Sequence, residues 1–379
     1  MTYTLWGSPP SLYTGKLRSY LIKKRLPFVE RFPSEPEFAA RILPQVGRVV
    51  IPVLETPEGQ VLQDSGDIID WLETRHSEPA LVPQTPVQSV ISALFDAVGS
   101  EYLLALAMHY RWSYRAEQED FLQAEFGRTM VPGQSREARR QMASATMSKF
   151  NAFLPGLGVF PQKIEALEAA YMDWLDALDE HFQYHPYLLG GRPCRGDFGM
   201  MASLFAHLGR DPVPAGLMKR RAPNLFRWTE RMNLANIADG EFPAAGEDYL
   251  ADDAIPESLE PLLRLVFRDW TPGLLADAEC FNAWCTERAT GDLVSQNGRP
   301  QVHPSLGEIS YAWHGSEYTR NSAPHALWMF SSAIDRAKEL NGSARSTFDA
   351  LVSRNGGEAA FAIRLDRRMK RDANVLVLE

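Results

Sequence analysis

Hydrophobic positions in the first eighty residues follow two alternating periods. Residues 3–6 alternate as a short strand. From Leu12 to about Lys24, Leu17, Tyr20 and Leu21 recur at helical spacing. Residues 27–32 read as a second strand, and residues 37–43 as a short helix. Residues 49–54 and 60–62 flank Thr56-Pro57-Glu58-Gly59, which predicts a hairpin. From Asp64 to about His76 the pattern is amphipathic, with Ile68, Ile69, Trp71 and Leu72 as the apolar face. Strands alternating with helices and closing on a hairpin predict a small α/β sheet domain over residues 1–80.

The pattern changes after residues 79–86, where three prolines and no periodicity predict a linker. Helical period then dominates. It predicts a long helix or two over 87–119, then helices at 135–153, 163–185, 198–208 and 215–231. These place an all-α bundle at 87–237. Residues 238–379 form a third region of mixed α+β pattern. It opens on an acidic stretch that reads as a solvated connection (Asp239, Glu241, Glu247, Asp248, Asp252, Asp253). A helical stretch over 259–285 has a break at Pro272-Gly273. A hairpin over 308–319 turns at His314-Gly315, and helices at 324–340 and 343–354 precede a closing strand at 374–378.

Composition narrows the class of protein. The 379 residues suffice for two or three domains. A net charge of -9 argues against nucleic acid or an anionic membrane as main partner. Three cysteines (Cys194, Cys280, Cys285) are too few for a disulfide framework. No apolar run reads as long enough to span a bilayer, and the first residues lack the pattern of a signal peptide. A cytoplasmic setting is the expectation.

Two stretches carry candidate chemistry. Ser11 stands at the head of the first helix, where unpaired N–H groups and the helix dipole favour an anion. A thiol placed there is pushed toward thiolate, and a serine hydroxyl beside it can donate to the sulfur. Ser11 is also a favoured helix cap, and the two roles are compatible. In the second stretch, Ile51-Pro52 puts a proline on a strand, which belongs at an edge or in a special geometry. Ser65, with Asp64 before it, opens the next helix over 66–76, either as a carboxylate site or as a plain cap.

In order and spacing, Ser11-x-x-x-x-Lys16-Leu17-Arg18, Ile51-Pro52-Val53-Leu54 and Asp64-Ser65 resemble the glutathione transferases of serine and cysteine type. The resemblance covers about residues 1–235. It implies a thioredoxin-like N-terminal domain, a helical C-terminal domain and a homodimer, with residues 238–379 as an added extension. It further implies that Ser11 stabilises the glutathione thiolate and that Ile51, beside a cis Pro52, pairs with the cysteinyl backbone. Asp64 and Ser65 would hold the γ-glutamyl group, and Arg48 the glycyl carboxylate. Gly191 to Phe198 matches the family's capping box, with Cys194 where Ser or Thr is usual, so a weaker cap is expected.

A small apolar electrophile would be the second substrate. Tyr13, and the aromatic helix carrying Tyr102, His109 and Trp112, are the pocket candidates, with core packing as the competing role. His181 and His185 have a metal-compatible spacing, but they lack the companion Glu of a metalloprotease motif, and no metal is expected. Trp313, His314, Tyr318, Arg320 and Trp328 of the extension would either cover the cleft or form the core of an added lobe. Competing functions are a binding or scaffold protein without catalysis and a glutathione-dependent isomerase.

Overall fold

The computed structural model describes residues 2–301, 303–372 and 374–379. Four short strands form one mixed sheet in the order β2-β1-β3-β4. β1 (Tyr3–Trp6) runs parallel to β2 (Phe28–Arg31) and antiparallel to β3 (Val53–Glu55), which pairs antiparallel with β4 (Val61–Gln63). The parallel pair needs a crossover, and α1 (Leu12–Lys23) supplies it. The short helix expected over 37–43 is a π-type turn, Phe38–Ile42, running into α2 (Leu43–Val46). α3 (Ser65–Arg75) closes the domain.

The alternating strand pattern buries both faces of this sheet. Leu5 and Leu54 meet Leu17, Leu21, Ile68, Ile69 and Leu72 from α1 and α3, all fully buried. Trp6 and Val53 point the other way, onto Phe38, Ile42 and Val46. The fold is thioredoxin-like. Trp71 packs half-buried against the same core, with the Arg75 guanidinium 4.2 Å from its ring centre.

The helical domain begins with α4 (Pro86–Ala97), a π-type turn at Val98–Tyr102 and α5 (Leu104–Trp112) in one continuous run. α6 (Arg115–Met130), α7 (Arg136–Asn151), α8 (Ile164–Tyr184), α9 (Arg195–Ala206), α10 (Pro212–Arg221) and α11 (Pro223–Arg231) follow. The single helix expected over 215–231 splits at Pro223, which has no N–H to continue the ladder. Contrary to expectation, residues 86–112 are long and apolar enough to cross a membrane. In the fold, 78% of that apolar window is buried inside the protein, so its hydrophobicity is spent on the core. Gly99 lets α9 approach the π-type turn, because a Cβ there would lie 2.3 Å from the Met200 nitrogen.

The extension contains α12 (Glu260–Asp269), α13 (Thr271–Cys285), the hairpin β5 (Glu308–Trp313) and β6 (Ser316–Asn321), and α14 (Pro324–Glu339). It ends with α15 (Gly342–Arg354), α16 (Glu358–Phe361) and a second hairpin, β7 (Met369–Asp372) with β8 (Val375–Leu378). It packs onto the other domains rather than beside them. Its buried side chains join one continuous core with the helical domain and one face of the sheet, and α14 lies along α4. The acidic stretch is likewise a structural strap in part. The Asp253 carboxylate accepts from the Val87 and Gln88 amides (2.8 and 2.9 Å) and caps α4, which Thr85 does not.

Candidate functional site

Ser11 is the N-cap of α1. Its backbone is extended (φ −86°, ψ 126°) and its Oγ accepts from the Thr14 amide at 3.4 Å, a long cap bond. This aims the first free amides of α1 past the end of β1. The Ile51–Pro52 peptide, just before β3, is cis. At the head of α3 the residue expected to open the helix is displaced by one. Asp64, not Ser65, is the N-cap. Its Oδ1 accepts from the Gly66 and Asp67 amides (2.8 and 3.3 Å), and Ser65 is buried as the first helical residue. A carboxylate in this place takes both the free amides and the dipole, so it outcompetes the neighbouring serine as a cap. Asp64 has φ +78°, a backbone region uncommon for a residue with a side chain.

Residues of the extension reach these groups. Arg371 on β7 donates to Asp64 Oδ2 (2.8 Å) and Gln63 Oε1 (2.6 Å), and its Nε lies 3.2 Å from Asp67 Oδ2. Trp328 of α14 lies with its ring centre 5.7 Å from the same guanidinium. Arg48 donates to the Gln301 carbonyl (3.0 Å) and to the Asn374 carbonyl. The π-type turn before α5 adds a third contact. It turns Ser100 and Glu101 toward α1, where the Tyr13 hydroxyl reaches the Ser100 carbonyl (3.2 Å) and Glu101 Oε1 (3.3 Å). His325 of α14 sits 2.9 Å from the same Glu101 oxygen, and the His303 ring lies 6.2 Å from that of Tyr13.

The electrostatics follow from this crowding. Burial raises the Asp64 pKa, but Arg371, His325 and Lys16 outweigh it and hold the carboxyl below its ordinary value. Asp67, beside it, is pushed up to about 6 by burial and by the Asp64 charge. Burial pushes His325 down, yet Glu101 more than offsets this and raises it. Glu101 is lowered: burial acts against the charge, and His325 outweighs it. Burial lowers His303 and, with Glu101, raises Tyr13. Next to Asp64, a cleft of about 310 Å³ opens between α3, α4, α14 and β7, with Arg195, Trp328 and Arg368 in its walls.

Residues 5–80 match the family model of the glutathione S-transferase N-terminal domain. The match covers this domain alone, and through it the chain is similar to the glutathione S-transferases. An uncharacterised glutathione-S-transferase-like protein of Escherichia coli (strain K12) is 27% identical over 124 residues, 31% of this chain and 60% of that protein. The chain therefore spans about 60% of the length of that curated relative. A β-etherase from Sphingobium sp. strain SYK-6 is similar at 19% identity and a TM-score of 0.43, over 64% of this chain and 99% of its own. A glutathione S-transferase from Methylobacterium radiotolerans, in complex with glutathione sulfonate, is 19% identical with a TM-score of 0.37, over 67% and 100%.

The expected pocket residues scatter. Tyr13 stays at the head of α1 beside Glu101. Tyr102 packs on Trp174 and Trp270, with ring centres 5.6 and 6.1 Å away. His109 is fully buried between Ser113 (2.9 Å) and Glu168 (3.1 Å), and Trp112 packs on Phe126 and Phe150. These three helical residues have separate sets of neighbours, and in the packed aromatic interior each does the work of a core residue. His181 and His185 stack 5.4 Å apart, but His181 is bonded to Ser258 and burial pushes its pKa down to about 3. No metal-holding group occurs among the described residues.

In the expected capping box both halves form: the Cys194 side chain accepts from the Asp197 backbone, and the Asp197 side chain accepts in return. The Asp197 carboxylate accepts from the Cys194 amide (2.8 Å), the Leu188 amide and the Trp228 indole (both 3.1 Å). Of the extension residues, Trp328 faces the cleft. Trp313 and Tyr318 are buried and pack together, His314 meets Asp269, and Arg320 meets Asp277, as parts of the added lobe. Glu101, His303, His325 and Arg371 were not singled out from the sequence. The one local signal for Arg371 is its place two residues after Met369, on the same face of a short strand.

Proposed function

We propose that the chain is a glutathione transferase-like enzyme that binds glutathione along its N-terminal domain and uses Ser11 to stabilise the thiolate. The observation behind this reading is the state of the Ser11 hydroxyl. Among the described residues it makes only the cap bond, as an acceptor, which leaves its proton free to donate to a sulfur. The Ile51 backbone would pair with the peptide, and Asp64 and Ser65 would meet the γ-glutamyl end. The thiol proton leaves to solvent, the sulfur lone pair forms a carbon–sulfur bond to an apolar electrophile, and the leaving group departs with its electron pair. The protein contributes thiolate stabilisation and proximity. The same reading includes homodimerisation and a cytoplasmic setting.

A hydrogen bond to a charged group contributes about 1.5–3 kcal/mol, so Ser11→Ala should lower kcat/KM for glutathione with a generic electrophile about 10- to 100-fold. Unchanged turnover removes Ser11 from the mechanism. A second reading, a binding or scaffold protein without catalysis, draws support from Arg48 and Asp64, both already partnered by the extension. Calorimetry separates the two. No heat and no thermal shift with glutathione in large excess would end the enzyme reading.

A further inference from the structure

The chain supplies its own groups to two of the residues assigned to glutathione, Asp64 and Arg48. Arg371 presents a cation to Asp64 and Gln63. The carbonyl oxygen of Asn374 accepts from Arg48, and the Asn374 side chain donates to the Val46 carbonyl (3.4 Å). Both residues flank the turn of one hairpin, and Asn374 has φ +66°. Arg371 is only 11% exposed, although it lies more than three hundred residues from Asp64 in sequence.

We propose that Arg371 and Asn374 of the β7–β8 hairpin are built-in occupants of this site. The hairpin puts the Arg371 guanidinium where the γ-glutamyl ammonium of the ligand binds and the Asn374 carbonyl where its glycyl carboxylate binds. The proposal rests on the glutathione reading above. The charges match the ligand end for end: a cation faces the acceptor pair Asp64 and Gln63, and an acceptor oxygen faces Arg48. An ammonium could not approach Asp64 Oδ2 without moving Arg371, because Oδ1 is already committed to the helix amides. The far end of the hairpin is anchored, since Met369, Leu376, Val377 and Leu378 are all buried. Opening therefore means withdrawing the Arg371 side chain and the Asn374 carbonyl from Asp64 and Arg48, not unfolding the extension. Occupancy of the closed state lowers the apparent affinity for glutathione by the fraction of molecules that are open.

The test uses the full chain with Arg371→Ala and Arg371→Gln, glutathione calorimetry, and hydrogen exchange of the hairpin with and without glutathione. Both variants should bind glutathione tighter than the parent, by about tenfold or more if the closed state dominates. In the parent, saturating glutathione should speed exchange at the Arg371 and Asn374 amides. Equal or weaker binding in both variants, with exchange in the parent unchanged by bound glutathione, overturns the occupant while leaving the glutathione reading intact. If parent and variants all fail to bind glutathione, that reading falls first and the occupant falls with it. Should one variant not fold, the other and the exchange of the parent still decide.

Discussion

Asp96→Asn tests how the N-terminal domain is fastened to the helices behind it. Asp96 lies on α4 with its side chain 4% exposed. It accepts from Lys16 of α1 and from Arg195 of α9 (2.7 Å), and Arg195 also meets Asp70 of α3. Removing its charge leaves Lys16, itself 1% exposed, with Ser100 Oγ at 3.3 Å as its remaining partner. Stripping one member from a buried ion pair costs about 3–5 kcal/mol, because the surviving charge stays desolvated. Asn keeps an acceptor oxygen, so the lower figure applies.

For 379 residues the entropy of unfolding is about 0.8 kcal/mol/K, and 3 kcal/mol corresponds to a Tm about 4 °C lower. Thermal unfolding followed by both tryptophan fluorescence and far-UV circular dichroism measures it and checks that one transition is being read. The double variant Lys16→Met with Asp96→Leu should recover part of the loss, since the Lys16 charge is then gone while Arg195 keeps only Asp70. A shift below about 1 °C for Asp96→Asn, or a double variant less stable than the single one, would refute the reasoning. Because Lys16 sits in the helix that Ser11 caps, the single variant should also lower whatever turnover Ser11 supports.

Gly99→Ala should destabilise by about 3 kcal/mol, since the new Cβ would meet Gly199 and Met200 backbone at 2.3–2.4 Å and neither helix can yield alone; an unchanged Tm would show that the crossing is loose. The pH dependence of the His325–Glu101 pair has a defined sign. His325 is raised above its ordinary 6.5, so its contribution is complete below that value and is lost as pH rises through the folded pKa. Glu101 is lowered below 4.5, so its contribution is complete above that value and is lost as pH falls through the folded pKa. The stability gap between the parent and His325→Gln should therefore be widest between pH 4.5 and 6.5 and should shrink on the alkaline side. A gap that does not change with pH would disprove the pairing.

Local periodicity and capping chemistry are written within a few residues of each other, so the sequence alone determined most elements. The strand at Tyr3–Trp6, the helix capped by Ser11 and the hairpin turning at His314-Gly315 lie where the pattern predicts them. Even the wrong cap at α3 was an error of one residue, between two polar neighbours with similar propensity. β7 was missed because Lys370, Arg371 and Asp372 lack the apolar alternation of a strand. The tertiary structure decided which charges meet. A carboxylate accepts any cation brought within reach, and sequence spacing does not say which one the fold will bring. Asp64 and Arg371 stand at opposite ends of the chain, and only the packing of the extension against α4 puts them 2.8 Å apart. Packing inside the helical domain set His109 and Trp112 among core residues, while the extension supplied Trp270 against Tyr102 and Arg371 against Asp64. Burial depends on every neighbouring surface at once, whereas periodicity reports one face of one element.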